Sequence, residues 1–346
     1  MAIIVAIPPN RTACVRRRLP GPVSSPGVGR IAVTGSVAYD TIMVFPGRFG
    51  DHILPDKTHL INVSFQVDRL ERRRGGTAAN VCYTMGLLGE HPMLCASVGA
   101  DDFTEYAATL ESVGVDTSAV LSCEGVGTAS AFITTDLADN QITAFYAGAM
   151  ARAASVDLAR IDDVSDVVVG ADAPDAIAVH IDQAAARGAR LTFAPAQQIP
   201  SIPDAVLRRG LETAWLVVGN DYEFEMMRER TGIAVEQLGA RRLVAVTRGA
   251  TGSALYAPDA VLDVAAAPVQ HVVDPTGAGD AFAAGLLTGL RAGASLQEAG
   301  QVAALAGAFA VEATGPQGHV FSRHEFRARY KAAFARELPQ SLDTLA

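Results

Sequence analysis

Cysteine and lysine are scarce in this chain, and each shortage removes a class of function. The four cysteines, Cys14, Cys82, Cys95 and Cys123, form no C-x-x-C pair, and no histidine lies at a ligand interval from any of them. A disulfide framework or a zinc site is therefore not expected, whereas the reduced thiols of a cytoplasmic protein are. Lysine occurs only at positions 57 and 331, against 26 arginines, and no Gly-Lys-Ser or Gly-Lys-Thr appears, so a Walker A phosphate loop is excluded. Long apolar runs are missing too: the longest, Val302 to Val311, has ten residues, too few to span a bilayer. What is present is a chain of 346 residues, 49% hydrophobic and 19% charged, enough for one large α/β domain or two medium ones with a sizeable core. Those proportions exclude a disordered chain, a coiled coil and a collagenous repeat.

Charge is unevenly placed. Residues 1–30 carry five arginines and no acid, so the remainder holds 23 basic against 37 acidic residues, a net of −14. An acidic body lacks the basic face that phosphate neutralisation needs, which excludes nucleic acid as the main partner. Residues 1–29 are Pro-rich and irregular. Their apolar run Ile3–Ile7 precedes Arg16-Arg17-Arg18, the reverse of a secretory signal. The Arg-rich, acid-free composition also suits a transit peptide; the reading adopted is a disordered extension, with the folded domain over residues 30–338.

From Arg30 onward, strand-like and helix-like segments alternate. Short apolar runs at Ile31–Val33, Leu94–Val98, Val167–Val169, Leu191–Phe193, Leu216–Val218 and Leu243–Val246 read as buried strands. Helical patterns lie between them at Ala78–Leu88, Thr104–Val113, Ala176–Arg187, Tyr222–Arg230, Ala281–Ala292 and Leu296–Glu312. The rhythm predicts a parallel sheet with helices on both faces. Two stretches break it. One, about 41–74, has strand-like text at Thr41–Pro46 and Leu60–Phe65; the other, 128–146, reads as a hairpin about Asp136–Asn140. Together they predict a small accessory sheet, a lid over the strand ends.

The most informative segment is Asp274-Pro275-Thr276-Gly277-Ala278-Gly279-Asp280, a Gly-rich turn that opens directly into a helical pattern. Glycines there let backbone N–H groups converge on a ligand, and the helix start favours an anion. The same dipole is expected to stabilise the Asp280 carboxylate. Read alone, the segment is equally an N-cap aspartate after a tight turn. A Rossmann fingerprint does not fit, because Gly277, Gly279 and Gly285 miss its spacing and lie late in the chain.

Three further segments join it in order: Gly75-Gly76-Thr77-Ala78-Ala79-Asn80, Asn220-Asp221-Tyr222-Glu223, and Val246-Thr247-Arg248-Gly249-Ala250-Thr251-Gly252. The ordered set, spanning roughly Ile31 to Arg336, resembles the signatures of the ribokinase-like (PfkB) carbohydrate and nucleoside kinases. Pro275 and Thr276 depart slightly from the family's D-T-x-G-A-G-D. The resemblance implies a three-layer, doubly wound, mainly parallel α/β sheet with a small β-sheet lid, and ATP-dependent phosphorylation of a primary hydroxyl on a ribose-containing substrate. It implies that Asp280 is the catalytic base, that Gly277, Ala278 and Gly279 form the anion hole, and that Asn220 and Glu223 order Mg²⁺ through its waters. Asn220, Thr247, Gly249, Gly252 and Gly279 then bind ATP, while Asp274, with the loop Gly315-Pro316-Gln317-Gly318, matches a region that binds K⁺. Without the resemblance, Asn220-x-x-Glu223 is simply a capped helix start.

For the acceptor, the resemblance assigns Ser36, Asp40, Gly76 and Asn80 to the pocket, with Gly75-Gly76 as a hinge between lid and core. Asp40 read alone is an ordinary turn acid. Gln197-Gln198, Phe45–Phe49 and Phe145–Met150 look like segments of actinobacterial adenosine kinases, in which paired amides and a lid aromatic contact the base. Two positions depart from that subgroup. Ala131 stands where a second lid aromatic is expected, with Phe132 beside it on the opposite strand face, and Ala194 replaces an Asp. Adenosine, giving AMP, is the expected acceptor, and a free sugar such as ribose or fructose the alternative. A non-catalytic ligand-binding member is the rival class, disfavoured by an intact Asp280 and Gly277–Gly279. The expected partners are ATP and a small-molecule acceptor, with no nucleic acid or membrane, and a homodimer through the lid.

Overall fold

The computed structural model describes residues 29–53 and 62–342. The extension 1–28, and Leu60 and Ile61 of the expected second lid strand, lie outside the described residues.

The first strand, β1 (Arg30–Thr34), is covered on both faces, with Ile31, Ala32 and Val33 at most 1% exposed. It leads into lid strands β2 (Ala38–Val44) and β3 (Arg69–Gly75), then into α1 (Thr77–Leu87). Among the described residues the lid strand that follows β2 is β3. Asn62–Phe65 is irregular, and Phe65 instead packs its ring against Phe45 and Phe49 at 4.9 and 5.0 Å. The run expected as one strand over Leu94–Val98 is two, β4 (Met93–Cys95) and β5 (Ser97–Gly99). The carbonyl of Ala96 accepts the N–H of Leu121, and the Ser97 hydroxyl donates to the carbonyl of Ala149 at 2.7 Å, so the chain leaves the main sheet there. β5 pairs instead with β6 (Leu121–Cys123), beyond α2 (Thr104–Ser112).

The hairpin stands as expected: β7 (Ala129–Thr135) and β8 (Gln141–Tyr146) turn about Asp136, whose carboxylate accepts N–H groups of Phe49, Ala138 and Asn140. The chain then runs β9 (Val164–Val169), α3 (Pro174–Ala186), β10 (Arg190–Phe193), α4 (Asp204–Thr213), β11 (Leu216–Asn220), α5 (Asp221–Thr231), α6 (Val235–Gly239) and β12 (Leu243–Thr247). An antiparallel pair, β13 (Ser253–Ala257) and β14 (Ala260–Val264), extends the sheet before α7 (Ala278–Arg291), α8 (Leu296–Val311) and α9 (Arg323–Phe334).

The main sheet has the order β14-β13-β12-β11-β10-β9-β1-β4, parallel except for its last two strands in the chain. Alternate strand residues serve two cores. Val33, Val168, Val218 and Ala245 meet α1, α7 and α8, while Val167, Phe193, Val217 and Val244 meet α3, α4 and α5. At the rear of the sheet, buried Arg291, at the end of α7, pairs with Asp166 and Glu90 and donates to the carbonyl of Gly29. Among the described residues no helix is long and apolar enough to cross a membrane. The lid is a separate four-stranded sheet, β3-β2-β7-β8, in which Asp40 lies opposite Ala131 and Ala131 opposite Phe145.

Candidate active site

A crevice of about 570 Å³ lies between the lid and the carboxyl ends of the parallel strands, where open α/β sheets bind ligands. Its floor is the start of α7. Gly277 caps that helix at φ +80°, and a Cβ there would sit 2.4 Å from Pro316 Cβ, so the turn requires glycine. The N–H of Ala278 donates to the carbonyl of Pro275. Among the described residues the N–H groups of Gly277, Gly279 and Asp280 have no backbone acceptor, the unpaired donors of a helix start that suit an anion. A Cβ on Gly279 would meet nothing within 4 Å; the space above it is open crevice.

Asp280 is half-buried in this floor, and Asn80 of α1 donates to its Oδ2 at 2.8 Å. The helix start was expected to stabilise the ionised form. Instead, burial pushes the carboxyl up to about 7; the Asn80 hydrogen bond opposes this and the nearby Glu223 carboxylate adds to it. Withdrawal from water is the largest of these influences.

On the inner side of the crevice, Asn220 and Glu223 form a capping box at the start of α5. The Glu223 N–H donates to Asn220 Oδ1 at 2.8 Å, and the Asn220 N–H to Glu223 Oε2 at 2.9 Å. Both residues, with Thr247 at the end of β12, line the same cavity as Gly279 and Asp280. Gly249 and Gly252 do not line it. They shape the turn after β12, where Gly252, at φ +94°, allows the end of β14 to approach: a Cβ would lie 2.2 Å from the carbonyl of Val264.

On the lid side, Asp40, Ala131 and Phe145 share one face of the lid and line the crevice with Gly76, Asn80, Gln197 and Gln198. Asp40 accepts no hydrogen bond among the described residues, and burial raises its carboxyl against the pull of Arg73. Phe132 points to the other face and is 43% exposed, so it does not replace the ring missing at Ala131. Ser36 borders the crevice, but its Oγ already accepts the Thr77 N–H at 3.1 Å and holds the start of α1. The junction between lid and core is tight: Gly76 has φ +94°, and a Cβ would lie 2.5 Å from the carbonyl of Ser36.

The pfkB family carbohydrate kinase pattern matches residues 33–321, most of the described chain. The chain belongs to the pfkB family. A nucleoside kinase of Methanothermobacter thermautotrophicus is 31% identical over 296 residues, 80% of this chain and 91% of that protein. The solved nucleoside kinase of Burkholderia thailandensis in complex with inosine superimposes with a TM-score of 0.79 at 35% identity, over 89% of this chain and 99% of its own. That of Methanocaldococcus jannaschii, an archaeal member of the ribokinase family, gives 0.78 at 26% identity over 89% and 100%. The fold is therefore ribokinase-like, and this pfkB kinase is an ATP-using phosphotransferase with an alcohol group as acceptor.

In the kinase the sequence motifs converge, with four exceptions. Ala278, Gly249, Gly252 and Asp274 stand outside the lining of the crevice and of the cavity beside it. Asp274 is held by Arg73 of β3 at 3.1 Å and by the N–H groups of Thr276 and Gly315, both at 3.0 Å. Arg73, Tyr106 and the side chain of Gln317 were not singled out from the sequence. The loop Gly315–Gly318 carried a signal only for a cation; Gln317 bonds Asn80, which lines the crevice, at 2.8 Å.

Proposed function

We propose that this kinase transfers the γ-phosphoryl group of ATP to the primary hydroxyl of a ribose-containing acceptor, with adenosine, giving AMP, as its substrate. The observation that carries the reading is one crevice lined both by Asp280, Asn80 and Asp40 and by Gln197, Gln198 and Phe145. A free sugar uses only the first group. A purine nucleoside uses both, because amides pair with a purine edge and an aromatic ring stacks on its face. The inosine and ADP-inosine complexes of the Burkholderia relative support this acceptor class, as do the segments similar to actinobacterial adenosine kinases. The free-sugar alternative draws on Ala131: opposite Phe145 the lid has no second ring to complete a stack.

In this reading Asp280 accepts the proton of the attacking hydroxyl. The bond from that oxygen to the γ-phosphorus forms as the bond to the bridging oxygen breaks, and ADP leaves. A carboxyl raised to about 7 is matched to that duty at neutral pH. The N–H groups of Gly277, Gly279 and Asp280, at the expected anion hole, would meet the charge on the transferred group. Asp40 and Asn80 anchor ribose hydroxyls, and closure of the lid about Gly75-Gly76 excludes water. The described residues contain no cluster of three or more His, Cys, Asp or Glu that would cage a metal. That suits Mg²⁺, which keeps its waters: Glu223, with Asn220, would hold it, and it would neutralise phosphate charge. Asp274 does not fit a K⁺ ligand, because a guanidinium and two N–H groups already engage its carboxylate. No step depends on that ion.

A homodimer through the lid belongs to the same proposal, supported by a β8 exposed along its length that carries Ile142, Phe145 and Tyr146. So does a cytoplasmic purine-salvage setting, which the free, buried Cys82, Cys95 and Cys123 suit. The test is ADP release with adenosine, inosine, ribose and fructose as acceptors. Adenosine should exceed ribose in kcat/KM by about 10²-fold or more. Equal turnover of ribose transfers the reading to the free-sugar alternative.

A further inference from the structure

Behind Asp280 lies a run of buried polar groups, of which Tyr106 and Gln317 take part in no step above. The Tyr106 hydroxyl donates to the carbonyl of Gly75 at 2.6 Å. Gln317 Nε2 donates to the Tyr106 oxygen and, at 2.8 Å, to Asn80 Oδ1. Asn80 Nδ2 in turn donates to Asp280 Oδ2 at 2.8 Å. Tyr106, Asn80 and Gln317 are 0%, 5% and 7% exposed, so water does not compete for these bonds.

The polarity of the run has a single solution. A backbone carbonyl only accepts, so the one hydroxyl proton of Tyr106 is committed to Gly75. The Tyr106 oxygen must therefore accept from Gln317, which turns the Gln317 amino group inward. Its second proton fixes Asn80 Oδ1, and Asn80 then has only its own amino group to offer Asp280. The arrangement leaves Gln317 Oε1 buried without a partner, a cost a structure retains for orientation and not for stability.

We propose that Gln317 is a positioning residue, which locks the Asn80 amide with its N–H toward the Asp280 carboxylate and ties that orientation, through Tyr106, to the Gly75 hinge carbonyl. The inference rests on Asp280 being the base. The other charged groups near Asp280 are Glu223 of α5, which opposes ionisation, and Asp40 of β2, which lines the same crevice; the Arg73–Asp274 pair lies outside that lining.

The test is Gln317→Glu, an isosteric change whose ionised oxygen cannot donate. Tyr106 and Asn80 would turn their protons to it, and Asn80 would present oxygen to Asp280. The acid limb of kcat against pH should move up by about 1–2 pH units, the worth of one hydrogen bond to a charged group. kcat should fall by about 10-fold at pH 7 and recover above pH 9, with KM for ATP unchanged. Tyr106→Phe, which frees the Gln317 amide to turn, should shift the limb in the same direction by less, and it serves if Gln317→Glu does not fold. An unshifted limb in a folded variant overturns the proposal, as does a pH-independent loss of kcat. Asp280→Asn separates the two readings. If it turns over normally, the base assignment itself fails; if it is inactive while the limb stays put, only the role of Gln317 does.

Discussion

Replacing Asp280 by Asn should make this kinase more stable and inactive together. The folded chain holds the Asp280 proton up to about pH 7, whereas an unfolded aspartate releases it near 3.8. Between those values the folded state binds the extra proton, so stability falls as pH rises through the window, and the deficit is complete above pH 7. The difference of about three pH units corresponds to a ceiling of about 4 kcal/mol. Solvent in the open crevice screens part of it, leaving about 1–3 kcal/mol. The asparagine carries no charge to desolvate and can still offer its oxygen to Asn80. For a chain of this size the gain should raise Tm by about 1–4 °C at pH 8 and by almost nothing at pH 4, where both proteins are neutral at this position. Turnover should drop by about 10²–10⁴-fold. The assay is differential scanning calorimetry of both proteins at the two pH values, beside ADP release at pH 8. A variant no more stable than the parent at pH 8, or stabilised equally at pH 4, would refute the argument that burial of this carboxylate opposes folding.

The remaining predictions concern the acceptor pocket and the α7 turn. If adenosine is the substrate, Gln198→Ala should weaken it by about 1–3 kcal/mol while leaving ribose unaffected, and Asp40→Ala should impair both; kcat/KM for each pair distinguishes the cases, and equal losses in Gln198→Ala would count against purine recognition. Gly277→Ala should cost about 1–3 kcal/mol and reduce kcat, because the Cβ collides with Pro316 and φ is +80°; unchanged melting and rate would show that the turn tolerates a side chain.

Much of the layered fold was legible because strands buried on both faces read as unbroken apolar runs, such as Val167–Val169 and Leu216–Val218. The opposite facing of Ala131 and Phe132 in the lid was legible from strand alternation; the register in which its strands pair was not. β3 was not: its sequence, Arg69-Leu70-Glu71-Arg72-Arg73-Arg74-Gly75, lacks the alternating apolar face that marks a half-buried strand, and it is held by pairing with β2 along its length. The division of Leu94–Val98 depends on where the carbonyl of Ala96 finds a donor, a partner 25 residues away in sequence that no local pattern reveals. The motif residues of the site could be recognised because their chemistry is local, a glycine turn followed by an aspartate. The bonds that orient Asp280 join residues 200 to 237 positions apart, so Gln317 and Tyr106 carried no signal as its supports. The elevated pKa of Asp280 was missed for the same reason: the helix start is visible in sequence, whereas the protein atoms that bury it and the carboxylate of Glu223 come from elsewhere in the chain.

The same helix that carries Asp280 in its first turn ends in Arg291, whose guanidinium is gripped by Asp166, Glu90 and the carbonyl of Gly29. Eleven residues separate the two, so α7 behaves as a rod about 16 Å long between the chemistry and an ionic anchor. A rod fixed at its far end cannot slide along its own axis. The height at which Asp280 stands in the crevice is therefore set partly at the rear of the sheet, by charges outside the crevice lining. Sequence change around Arg291 has less freedom than its distance from the crevice suggests, because a displacement of one ångström there arrives undiminished at Asp280.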